Sequence, residues 1–411
     1  LKHEAEYLRA QDPYRLLHYE GWFEKSTDFD EETLAWVQKT FDFSSRMYAT
    51  IDEMRDWLKT DRTGLSLLLC EYAHAEGNSC GDLRFYDEIF RSDPRYAGGF
   101  IWEWCDHALP LTDENGNRYW GYGGDFGEHH HTGNNCINGL VTPNRQAHSA
   151  LSEAKAVFAP IRARYTEDGM LSVENRNIFR DLKDYRFVWK VVADGEELIC
   201  GESDISCAPG KSVRVPFSAG HWDGTDAVLY LTAKTRSDTA WAAAGHPVAA
   251  FSFLLSERPK QKKTVLPLPD ATETRNSIRV SGKDFSYVFR KDVGTLCEMT
   301  VRGQQLLAAP VEWNCFRAPT DNDRAVLAGN SPAKMWERAV HFGNIEYPEL
   351  SVHDLAWEAR ENALCIFGSF RFSVQGRCPL VTGKLEYRIF GDGSMEFIQH
   401  AQVNEELPYF L

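Results

Sequence analysis

Apolar and polar positions follow two rhythms along the 411 residues, and the change falls near Pro160. Up to that point short apolar runs alternate with stretches whose apolar positions recur every three to four residues. The spacing predicts strands over residues 16–20 and 45–49 and helices over residues 31–39 and 52–59. Leu67, Leu68 and Leu69 form an unbroken apolar run, the mark of a strand buried on both faces of a parallel sheet. A helix over residues 82–91 follows, with Leu83, Tyr86, Ile89 and Phe90 on one face and Asp93-Pro94 closing it. A further strand is predicted over residues 100–104. Strands and helices alternating in this way build parallel sheets with crossover helices. Four such strands are half of an eight-stranded (β/α) barrel, and half a barrel has two raw edges. Leu1, Ala5 and Leu8 share one helical face, so the chain opens inside a helix pattern and no leader is legible.

Beyond Pro160 the period becomes two. Tyr185, Phe187, Trp189 and Val191 alternate with Arg186, Val188 and Lys190, and Asp194-Gly195 is a hairpin turn. With residues 228–232 and 249–254 this predicts an antiparallel sandwich of immunoglobulin-like size. A polar stretch, Ser256-Glu257-Arg258-Pro259-Lys260-Gln261-Lys262-Lys263, reads as a solvated linker. From Val265 a second all-β region is predicted, with strands over residues 277–280, 285–290, 365–372, 385–390 and 395–400 and a turn at Val293-Gly294. The domains expected are therefore residues 1–160 (β/α), 161–256 (sandwich), 257–264 (linker) and 265–411 (a second β region).

Composition narrows the function classes. A net charge of −15 argues against a polyanion partner, which needs clustered Lys and Arg. No apolar run approaches a membrane span. Ten cysteines lie scattered without a CxxC pair, the usage of free thiols in a reducing compartment, so a cytoplasmic location is expected. The 12 Trp, 16 Tyr and 24 Phe suit either sugar-stacking surfaces or sandwich cores.

Candidate chemistry gathers where the Leu67 strand ends, in Cys70-Glu71-Tyr72-Ala73-His74 before Gly77-Asn78. Barrel strands carry catalytic groups at their carboxyl ends, and Glu71 stands there. It could equally cap the strand or form an ion pair. As a nucleophile it would have to stay ionised among hydrogen-bond donors, and Tyr48, ending the preceding strand, is one. In Trp102-Glu103-Trp104-Cys105-Asp106 an indole could floor a pyranose, or both tryptophans could be core. Glu103 and Asp106 offer a rival pair of carboxylates or rim support. His129-His130-His131 lacks metal-ligand spacing and reads as an exposed polar loop.

C-E-Y-A-H-A-x-G-N-S, the Met47-Tyr48 pair and the W-E-W strand together resemble the large bacterial β-galactosidases of glycoside hydrolase family 2, over the whole chain. The resemblance implies the carboxyl-terminal half of a TIM barrel, an immunoglobulin-like sandwich and the first part of a large β-sandwich, in which Phe316-Arg317-Ala318-Pro319-Thr320-Asp321-Asn322-Asp323 looks family-typical. It implies a retaining exo-β-galactosidase acting on galactosides such as lactose, with Glu71 as nucleophile and Tyr48 as its hydrogen-bond partner. His74, Met47, Trp102 and Asn138 would meet the sugar. Asn138, in Cys136-Ile137-Asn138-Gly139-Leu140, would also meet a sodium ion. Mg2+ is implied as well, with most of its ligands upstream. The chain departs from the pattern at His131, where an asparagine near a magnesium is usual, and at Asn135, where a phenylalanine is usual.

The family's acid/base glutamate sits in a G-N-E-S-type motif that this sequence lacks. Glycoside cleavage needs two carboxyls, so the chain alone is expected to be a poor or inactive catalyst. The parent enzyme would be an oligomer needing further segments on both sides. Other readings are another family 2 β-glycosidase such as β-glucuronidase, a non-catalytic carbohydrate-binding or assembly module, or a truncation without biological meaning.

Overall fold

The computed structural model describes residues 2–22, 29–166, 168–222, 224–259, 266–314 and 348–405. It divides into two compact units, Leu1–Lys260 and Gln261–Leu411.

The first unit begins with α1 (Lys2–Gln11), α2 (Glu31–Thr40), β1 (Phe43–Met47), α3 (Ile51–Thr60), β2 (Ser66–Tyr72), α4 (Leu83–Phe90) and β3 (Tyr96–Ile101). The strands form one parallel sheet in the order β1-β2-β3. Local chemistry starts two of these helices: Asp30 accepts the Thr33 N–H at the head of α2, and Thr50 with Glu53 makes a capping box on α3. Leu67 and Leu69 of β2 are fully buried, with Met54, Trp57, Leu83 and Ile89 of the flanking helices in the same core.

Two expectations need correction. Residues 16–20 form no ladder; Leu17 is tied to Asp42 alone, its N–H to the carboxylate at 2.7 Å and its carbonyl to the Asp42 N–H at 2.9 Å. The sheet therefore has three strands among the described residues, not four. The strand expected over residues 100–104 is displaced toward the amino end, because Gly98-Gly99, poor strand formers, lie inside it. A Cβ on Gly99 would meet Leu69, Tyr72 and Phe90 at 3.0–3.1 Å, so the glycine lets β3 close on β2.

After β3 come a hairpin, β4 (Leu109–Thr112) and β5 (Arg118–Gly121), and then α5 (Ala150–Val157). Seven strands follow: β6 (Ile161–Tyr165), β7 (Met170–Asn175), β8 (Tyr185–Ala193), β9 (Glu196–Ser203), β10 (Ser212–Pro216), β11 (Ala227–Thr235) and β12 (Pro247–Ser256). They form two antiparallel sheets, β10-β7-β6 and β12-β11-β8-β9. Their shared core includes Ile161, Val173, Phe187, Val191 and Leu229. Asp194 and Gly195 both take positive φ in the β8–β9 turn. The sandwich is tied to the β/α part through Asp87 of α4, which pairs with Arg91, with Arg176 at 2.9 Å and with Arg162 at 3.6 Å.

The second unit is all β: β13 (Asp270–Glu273), β14 (Ser277–Ser281), β15 (Phe285–Arg290), β16 (Leu296–Val301), β17 (Gln304–Gln305), β18 (Glu349–Arg360), β19 (Ala363–Ser373), β20 (Pro379–Phe390) and β21 (Met395–Val403). Two antiparallel sheets, β13 to β17 and β18 to β21, share a core around Tyr287, Phe289, Ile366 and Ile389. The 316–323 segment and part of the expected linker lie outside the described residues. The nine described cysteines are free, and no described helix is long and apolar enough to cross a membrane.

Candidate active site

The carboxyl ends of β1, β2 and β3 bring the predicted residues together. Met47 is the register partner of Glu71, after an irregularity between Arg46 and Met47. One residue on, Tyr48 turns into the left-handed region with φ 51°, and its N–H donates to the Glu71 carbonyl at 2.9 Å. Ala73, at φ 50°, makes the same turn just after β2. Two non-glycine residues in this region beside one carboxylate are the kind of backbone outlier that concentrates at functional sites. The Tyr48 phenol hydrogen-bonds the Glu71 carboxylate. Burial first, and then that carboxylate and the charge of Glu103, push the phenol's pKa well up, so it stays protonated and serves as a donor. The His74 ring meets the Tyr48 ring edge-on with centroids 5.8 Å apart. His74 Nδ1 lies 3.8 Å from the Glu76 carboxylate, whose side chain is only 12% exposed.

Trp102 follows directly on β3. Its N–H donates to the Tyr72 carbonyl at 3.1 Å and its carbonyl accepts the Ala75 N–H at 2.8 Å, so it is held against the turn that carries His74. Neither tryptophan is core: Trp102 is 36% and Trp104 57% exposed. The rings remain available for stacking.

The loop bearing Asn138 is sewn to the same edge. Gly77 donates to Ile137 O at 3.2 Å, Glu103 N to Asn138 O at 2.8 Å and Leu140 N to Glu103 O at 3.0 Å. Asn138 is 1% exposed; its Nδ2 donates to Asn135 O at 2.6 Å, and its Oδ1 has no hydrogen-bond partner among the described residues. A buried carbonyl-type oxygen left over in this way is the donor that a hard cation or an ordered water takes, so Asn138 fits the implied sodium at one position. Most of the magnesium ligands are expected upstream of this chain. Among the described residues no group of three or more His, Cys, Asp and Glu could hold a metal ion. His131 is exposed, and its Nδ1 accepts the Gly133 N–H at 3.2 Å.

The rival carboxylate pair separates. Asp106 is 6% exposed and has both oxygens engaged, Oδ1 by the Gly139 N–H at 2.7 Å and Oδ2 by His148 Nε2 at 2.8 Å. Glu103 keeps an 18% exposed side chain, within 3.3 Å of His107 Nε2. Sequence reasoning missed Glu76, His148 and the β4–β5 hairpin. Only the hairpin had a local mark, Asn115-Gly116 between apolar runs.

Three family models match the chain in order: "Glycosyl hydrolases family 2, TIM barrel domain" over residues 1–163, "Beta-galactosidase, domain 4" over 171–256 and "Beta galactosidase small chain" over 281–410. Together with the parallel strands and the carboxylate at their ends, they place the chain with the family 2 glycosyl hydrolases. Within that family it falls with the β-galactosidases. Those of Actinobacillus pleuropneumoniae (32% identical over 98% of this chain), Priestia megaterium (30% over 99%) and Photobacterium profundum (34% over 99%) are among its relatives. The chain spans about two-fifths of their length: 39%, 38% and 41% respectively.

Proposed function

We propose that this chain supplies the nucleophile half of a retaining exo-β-galactosidase that hydrolyses terminal β-D-galactosides such as lactose. The supporting observation is the Glu71 carboxylate held by a protonated phenol, with an imidazole, a thioether and an indole at the same strand ends. Glu71 attacks the anomeric carbon, and a galactosyl-enzyme forms as the aglycone leaves. Tyr48 keeps the carboxylate oriented between turnovers. Trp102 receives the apolar face of the galactose ring, and His74 its hydroxyls. A sodium ion at Asn138 would supply a positive anchor for a hydroxyl. The acid/base carboxyl that protonates the aglycone and later activates water comes from other polypeptide, since the sequence carries no G-N-E-S motif. The isolated chain is accordingly inactive or nearly so, and the first 160 residues act as part of a barrel completed elsewhere.

The test mixes this chain with the upstream half of a β-galactosidase and follows a chromogenic β-galactoside. Turnover should appear on mixing and vanish with Glu71→Gln. A mixture that binds galactosides without turnover, or one in which Glu71→Gln keeps full activity, removes the assignment.

A further inference from the structure

Asp106 and His148 lie outside the sugar-facing set, yet every polar contact of the Asp106 carboxylate leads toward the Asn138 loop. Its Oδ1 accepts the Gly139 N–H at 2.7 Å and its Oδ2 meets His148 Nε2 at 2.8 Å. The backbone adds a second tie, His148 N to Leu140 O at 3.0 Å. Gly139 leaves no slack on the other side. A Cβ there would stand 2.2 Å from Asp106 N and 2.4 Å from Val141 O, both backbone atoms that cannot swing away. The residues on either side of Gly139 are therefore pinned from one buried carboxylate. His148 in turn leads into α5, whose Glu153 accepts the Leu83 N–H at 3.1 Å at the start of α4.

A carboxylate 6% exposed is costly to keep unless its contacts repay the desolvation, and one backbone N–H with one imidazole is a small set for that purpose alone. The gain lies in direction: the carboxylate holds the peptide next to Asn138, whose Oδ1 is the one buried amide oxygen without a hydrogen-bond partner among the described residues. We propose that Asp106 and His148 are positioning residues of the galactoside site, fixing the Asn138 amide through Gly139. This rests on the galactosidase reading for the ligand, but not for the clamp itself. Neither residue touches the sugar, and their effect falls on binding while Glu71 is left in place.

The experiment compares Asp106→Leu with Asp106→Asn in the full chain. Asparagine keeps an oxygen for the Gly139 N–H and an amide for His148, whereas leucine keeps only the shape. Affinity for isopropyl 1-thio-β-D-galactoside is measured by calorimetry on the folded fraction, and the Asn138 side-chain amide is followed by NMR hydrogen exchange. The leucine variant should lose about tenfold in affinity, which is about 1.4 kcal/mol, together with its Asn138 amide protection. The asparagine variant should stay within about threefold of the parent, and in the mixture with the upstream half KM should rise in the leucine variant while kcat holds. If the leucine variant lowers only the melting temperature, with affinity and Asn138 protection intact, the clamp is structural and the proposal fails. Should the parent chain not bind the thiogalactoside, the ligand reading falls; loss of Asn138 protection in the leucine variant alone would still support the clamp, and its retention would overturn it.

Discussion

Tyr48 and Glu71 are joined twice, by a 2.9 Å backbone hydrogen bond from the Tyr48 N–H to the Glu71 carbonyl and by the phenol on the Glu71 carboxylate. The backbone bond fixes where β1 ends relative to β2, and the side-chain bond then costs little further ordering. A positive φ at Tyr48 is what swings the ring back over its neighbour's carboxylate.

Tyr48→Phe keeps the ring and its edge contact with His74 but removes the donor. In the mixture with the upstream half, kcat should fall by about two orders of magnitude, the usual loss when one preorganised donor is taken from a developing charge, here the one that returns to Glu71 as the galactosyl-enzyme breaks down. Intrinsic fluorescence and melting temperature should hardly move. Unchanged turnover would show that the phenol is a bystander.

Trp102→Leu preserves apolar character without an extended ring face. Because Trp102 is 36% exposed, its stacking is partial, and the expected loss is about 1 kcal/mol in galactoside affinity. Trp104→Leu serves as control and should leave affinity unaltered. Titration calorimetry with a thiogalactoside reads both, and equal effects would sink the platform role.

Asp87→Ala leaves the guanidinium groups of Arg176 and Arg162, 15% and 27% exposed, without their shared carboxylate. Removing one partner of a largely buried pair exposes the full desolvation cost of the other, here about 3 kcal/mol in urea unfolding. Asp87→Asn, which keeps acceptors, should recover part of it. A loss below about 0.5 kcal/mol would class the cluster with ordinary surface pairs.

Burial pushes the Cys80 thiol up to about 11 from its ordinary value of 9.0. The unfolded chain therefore gives up this proton first, and the stabilisation is complete below about pH 9 and lost as pH rises toward about 11. Comparison with Cys80→Ala isolates the contribution. The parent's excess stability should shrink by on the order of 2 kcal/mol across that window. In folded protein, iodoacetamide should modify Cys80 far more slowly than exposed Cys200 and Cys378. Equal labelling rates at pH 8 would refute the burial argument.

Much of this architecture is legible in one dimension. The Leu67–Leu69 run marks a doubly covered parallel strand, and the Tyr185–Val191 alternation marks a half-covered antiparallel one, because burial on one face or on two imposes those periods on any chain. Asp194-Gly195 marks its turn because the left-handed region admits few residues. Glu71 at a strand end is equally visible, since barrels put their chemistry there. Where sequence reasoning failed, local preference met tertiary packing. Gly98-Gly99 are poor strand formers, and only the closeness of Leu69, Tyr72 and Phe90 shows why glycine is needed there. Residues 16–20 looked like a strand, but they are held by Leu17 on Asp42 and His18 on Ser45 and not by a ladder.

By itself, then, the sequence determined the class of each half of the chain and the carboxylate about which a site could form, because periodicity and strand-end position are properties of neighbours along the backbone. The tertiary structure alone decided which of the acidic residues faces the site and which is spent. Asp106 and His148 are 42 positions apart, and Tyr48 and Glu103 are farther apart still, so no local pattern could tell the clamp from the pair of groups facing the site. Their separation into roles is set by burial and hydrogen-bond partners, which exist only once the strands have been laid side by side.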